Sequence, residues 1–79
     1  MSPEEIRLEL FKRRKEVTQS SIARSLGVSH PLVVHVIDRK AVSKRVMQAI
    51  ADAIQYDIRY VFPERFFKNA PNNSRLSQL

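Results

Sequence analysis

The chain has 79 residues, 43% of them apolar and 8% aromatic, which is enough for one small helical core and too little to enclose a deep catalytic pocket. It contains no cysteine, which excludes a disulfide framework or a thiolate metal site. Its 14 Lys and Arg against 8 Asp and Glu give a net charge of +6, a field that attracts polyanions, although surplus basic residues also serve solubility alone.

Taken in order, Ser2-Pro3-Glu4-Glu5 reads as a capping box with proline in the first helical position. A first helix is therefore expected to start at Pro3, to carry Ile6, Leu10 and Phe11 inward, and to end in the basic run Lys12-Arg13-Arg14-Lys15. That run reads either as a solvated helix end or as a phosphate contact. Thr18 caps a second helix, expected from Gln19 to Leu26. Ser29 can cap a third, running to about Asp38, but the residue before a proline resists the α region, so the start is placed at Pro31 with His30 as entry residue. Residues 39 to 42 form a short connection. Ser43 then caps a fourth helix, in which Val46, Met47, Ile50, Ala51 and Ile54 keep helical spacing. Asp57 caps a last short helix through Phe62, which Pro63 stops.

The expected fold class is all-α, with five helices. The organisation is one domain over residues 1 to 67 and a tail over 68 to 79, polar and rich in turn formers, that is loose unless a partner orders it. No apolar run reaches the roughly 20 residues of a membrane span, and the acidic start is unlike a signal peptide. A soluble, complete chain is therefore expected.

The most informative stretch is Gln19 to Val36. Gly27, the chain's only glycine, is followed by Val28 and then Ser29, so one helix stops and another starts within a few residues. Ala23, four residues earlier, lets the second of these helices approach closely, and Ile22, Leu26, Val28, Val33 and Val36 supply the apolar contacts. This spacing is that of a helix-turn-helix.

The chain here resembles the lambda-repressor-like helix-turn-helix superfamily over roughly residues 5 to 66. Gln19, Ala23, Gly27, Val33 and Val36 match the polar first position, small residue, turn glycine and two buried aliphatics. Within the superfamily it is similar to the Ner-type regulators of transposable phages, through Ile50-Ala51-Asp52-Ala53-Ile54 and the close Val61-Phe62-Pro63-Glu64-Arg65-Phe66. Phe62 stands where Ner-type relatives carry tryptophan. The resemblance implies five helices around the motif, with the third lying in the DNA major groove.

If Val33 and Val36 face the core, His30, Pro31, Val34 and His35 turn outward and become the candidate base-reading residues. Val34 suits a thymine methyl and His35 a guanine acceptor or a phosphate, while Pro31 has no N–H to offer and packs instead. Gln19, Ser29, Arg39, Lys40 and Lys44 are the candidate phosphate contacts, which fix register without reading sequence. Arg45 ranks below them, as a partner for Asp52 or another surface acid. Ser29, His30 and Asp38 are the letters of a hydrolase triad, but adjacent residues at a helix start diverge and no oxyanion hole accompanies them. His30 and His35, five apart without a third ligand, make no metal site, and no glycine-rich loop exists to hold a nucleotide.

The reading is a sequence-specific regulator of transcription that binds double-stranded DNA, a phage or prophage repressor in the bacterial cytoplasm or nucleoid, with no enzyme activity, cofactor or small-molecule substrate. One helix reads few base pairs, so a homodimer on an inverted-repeat operator is expected, paired through the spare apolar residues from Phe62 onward. The rivals are an antitoxin-like interaction module docking through Phe66, Phe67, Leu76 and Leu79, and a basic protein that binds nucleic acid by charge alone.

Overall fold

Each helix begins where the sequence supplies a side-chain cap. At the first, Ser2 Oγ accepts from the Glu5 amide at 3.1 Å while Glu5 Oε1 accepts from the Ser2 amide at 2.8 Å, so two orphan donors are satisfied reciprocally. Thr18 and Ser21 repeat the arrangement at the second, and Ser29, Ser43 and Asp57 each accept one backbone amide at the starts of the others. In this computed structural model, which describes residues 1–65, the elements are α1 (Pro3–Lys12), α2 (Gln19–Leu26), α3 (His30–Ile37), α4 (Lys44–Ile54) and α5 (Ile58–Val61). A 3-10 turn over Pro63–Arg65 follows, and no strand forms among the described residues. The expected all-α, five-helix fold with its helix-turn-helix at α2 and α3 is the observed one. Phe66, Phe67, the boundary after residue 67 and the tail at 68 to 79 lie outside the described residues.

The core gathers around α4, which packs against α1, α2, α3 and α5. Its inward stripe is the expected one, Val46, Met47, Ile50, Ala51 and Ile54, all buried. Ile6 and Leu10 of α1, Ile22 and Ala23 of α2, and Val33, Val36 and Ile37 of α3 close over it.

Gly27 ends α2 at φ 69° and ψ 31°, in the left-handed region, and the next amide, that of Val28, reaches back to the Ala23 carbonyl at 3.0 Å. A Cβ built on Gly27 would meet nothing within 4 Å, so a substitution here strains only the backbone. Gly27→Val should therefore lower stability by about 1–2 kcal/mol, and Gly27→Asn by less, because asparagine tolerates this region. Thermal melts of the two variants give the comparison, and equal melting points for valine and glycine would remove the turn argument.

The structure corrects three local expectations and adds one feature that no residue type signalled. The helix α3 starts at His30, not at Pro31, and ends at Ile37 with Asp38 as its C-cap, about where the sequence placed the end. Pro31 in the first turn forgoes only an N–H that has no intrahelical acceptor there. Phe11 is 60% exposed, because it sits one residue beyond Leu10 and the stripe through Ile6 and Leu10 leaves it on the flank of α1. Phe62 lies past the end of α5 and its side chain is fully buried, so it is core and no spare surface for pairing. Arg39 and Gln55 both pass through the left-handed region, at φ 62° and 63°, at the ends of α3 and α4, where no glycine marked a stop.

Candidate nucleic-acid interface

A helix that buries Val33, Val36 and Ile37 turns about 100° per residue, which sets Pro31 and His35 opposite the buried side. Both are exposed, as is His30 in the first turn. Val34, expected outward, is only half-exposed. It falls on the flank of α3 and lines a shallow groove with Leu8 and Phe11 of α1 and Gln19 and Ser20 at the start of α2. The four expected base-reading residues thus share one helix, with His30 and Val34 against the groove.

Of the expected phosphate contacts, Gln19 is the first residue of α2 and half-buried at the same groove. The Ser29 hydroxyl accepts from the Leu32 amide at 3.3 Å and so caps α3. Lys40 and Lys44 are exposed beyond the end of α3 and at the first position of α4, and neither forms a salt bridge among the described residues. Arg45 pairs with no acid among the described residues; its guanidinium donates to the Leu26 carbonyl at 3.2 Å, across the turn, while Asp52 accepts from Gln48.

Arg39 departs from the expected arrangement. Its guanidinium is spent inside the fold, on Glu64 and on three main-chain carbonyls, and it lies over the ring of Phe62. Asp38, at the end of α3, is half-buried and bonded by Arg7 of α1, whose guanidinium holds the Asp38 carboxyl below its usual range. Neither contact had a local signal, since the partners are 25 and 31 residues away in sequence.

The basic end of α1 divides between the two readings. Lys12 and Arg13 both pair with Glu9, at 3.1 and 2.6 Å, and Arg13 first among them lowers the Glu9 pKa. Arg14 lies 4.2 Å from the exposed Phe11 ring, where a cation is attracted by the ring face. Arg14 and Lys15 are exposed.

No cluster of three or more His, Asp or Glu suited to a metal ion forms among the described residues, and no helix there is long and apolar enough to cross a membrane. The arrangement is an exposed helix face with cations beyond its end, on a helix-turn-helix whose turn passes through a left-handed Gly27. A family model described as winged helix-turn-helix DNA-binding matches residues 1–78. No curated protein matches the chain, nor does any solved structure. The described residues hold the helix-turn-helix without a strand that could form a wing. By a match that spans nearly its whole length, the chain belongs to the winged helix-turn-helix DNA-binding family.

Proposed function

We propose that this protein is a sequence-specific regulator of transcription, of the phage or prophage repressor kind, that reads double-stranded DNA with the outer face of α3. The observation that carries this is the face itself: His30, Pro31 and His35 are exposed, and Val34 half-exposed, on a short helix that α2 and α4 hold from behind. Imidazoles can donate to guanine or phosphate, and valine can meet a thymine methyl. Lys40 and Lys44 flank that face as backbone contacts, with Gln19 at the start of α2. The aliphatic-aromatic-Pro close at Val61-Phe62-Pro63 supports kinship with the Ner-type regulators, and the phage assignment rests on that likeness. In this reading the protein works without catalysis or cofactor, in the bacterial cytoplasm or nucleoid.

Selection of bound sequences from a random DNA pool tests the reading. A preferred sequence is expected, and one with inverted half-sites about 10 base pairs apart would support a homodimer, since two recognition helices would then sit roughly one DNA turn from each other. A pool that returns no preference would replace the regulator with a charge-driven binder. On the selected site, Val34→Ala and His35→Ala should each relax preference at particular base pairs, by about 1–3 kcal/mol where a strong contact is lost. Lys40→Ala and Lys44→Ala should weaken binding to all sequences alike and lower the salt slope by roughly one each. If the lysine changes alter base preference and the α3 changes do not, the recognition face is misplaced.

A further inference from the structure

The end of α3 is tied on two sides by consecutive residues. Asp38 accepts from Arg7 and so joins the helix end to α1. Arg39, the next residue, turns the other way. Its Nε donates to Glu64 Oε1 at 2.9 Å, and its Nη2 to the carbonyls of Val61 at 2.9 Å and Met1 at 2.7 Å. Its Nη1 closes back on the Ile37 carbonyl at 3.2 Å, and the guanidinium carbon lies 4.8 Å from the centre of the Phe62 ring. The side chain is 21% exposed and the ring beneath it is fully buried.

We infer that Arg39 is a positioning residue, which fixes the recognition helix α3 against α5 and the turn at Pro63–Arg65 and makes no contact with the DNA itself. The inference rests on the DNA-binding reading above and concerns how that site is held. The argument is one of geometry. A guanidinium offers five N–H groups in a rigid planar fork, and four hydrogen bonds and a ring face already occupy this one, so a phosphate could take it in the usual two-pronged way only by dismantling one of those bonds. A helix whose far end is bonded to two different elements has less freedom to tilt, and base reading depends on tilt because hydrogen bonds to base edges are directional. The backbone at Arg39 is left-handed, a conformation glycine adopts at least cost, so the side chain and not the main chain is what this position needs arginine for.

That last point supplies the variant. Arg39→Gly suits the backbone and deletes the fork, and Arg39→Lys keeps the charge but cannot make the same planar set of bonds. Both are measured with Glu64→Gln against the selected site and against unrelated DNA, over a range of salt, well below each variant's own melting point. The expected result is a roughly tenfold loss of affinity for the selected site in Arg39→Gly and in Arg39→Lys alike, of the size found for residues that couple to a site without touching its ligand. Affinity for unrelated DNA and the salt slope should stay near wild type in Arg39→Lys. Glu64→Gln removes a negative charge, which by itself would favour DNA. A loss of specific affinity in that variant, not additive with Arg39→Lys, is the mark of positioning.

Three outcomes would overturn the inference. If Arg39→Lys binds like wild type while Arg39→Gly lowers the salt slope by about one, Arg39 contacts a phosphate directly. If all variants melt earlier but keep full preference for the selected site, the residue serves stability alone. If Glu64→Gln binds the selected site more tightly, the pair does not position the helix. A wild-type protein without any preferred sequence would instead overturn the DNA-reading proposal, and is seen before any variant is made.

Discussion

Phe62→Ala should cost about 3–5 kcal/mol of folding stability, the largest effect expected of any single truncation in this chain. The side chain is fully buried, the largest to be so among the described residues, and it belongs to the hydrophobic core. Two losses combine. Removing the ring forfeits its burial and leaves a space that short helices can only partly collapse into, and it takes away the face on which the Arg39 guanidinium lies. A domain of this size has a total stability toward the lower end of about 5–15 kcal/mol, so the variant should be substantially unfolded in mild urea. Phe62→Leu should lose much less, because it keeps most of the volume. Urea titration followed by circular dichroism measures both. A midpoint for Phe62→Ala within error of wild type would mean that the C-terminal turn does not close this core in solution.

Ala23→Leu should destabilise by about 1–3 kcal/mol, in the opposite physical sense. Ala23 is 4% exposed on α2, a helix that packs against both α3 and α4, and the sequence spacing to Gly27 assigns its small side chain to the close crossing with α3. A leucine there adds three carbons at a buried position, which on the close-approach argument pushes α3 outward. Because α3 carries the proposed reading face, the same variant should also lose preference for the selected DNA site by more than its melting point alone accounts for. Binding measured well below that melting point separates the two effects. A leucine variant as stable and as selective as wild type would show open space between the helices and refute the close-approach argument.

The two residues differ in how visible they were beforehand. The role of Ala23 follows from Gly27 four positions on, because a helix stop and a close helix crossing at that interval are local chemistry. Phe62 reads as spare in the sequence because nothing near it says which side of the chain faces inward there. Its burial depends on a core drawn from residues far away in the chain, and Arg39, 23 positions earlier, lies over its ring.

The same distinction runs through the whole molecule. Sequence alone determined the five helices, their caps at Ser2, Thr18, Ser29, Ser43 and Asp57, the turn at Gly27 and the inward stripe of α4. Each of those depends on residues no more than a few positions apart, where hydrogen bonding and helical periodicity act without reference to the rest of the fold. Only the tertiary structure decided that Phe11 stays outside, that Val34 sits on a groove wall, that Asp38 belongs to Arg7, and that the Arg39 guanidinium bonds Glu64 and the Val61 carbonyl. Those outcomes join residues far apart in the chain. A charged side chain goes to whichever acceptors the packed elements happen to leave within reach, and no pattern within its own segment specifies them.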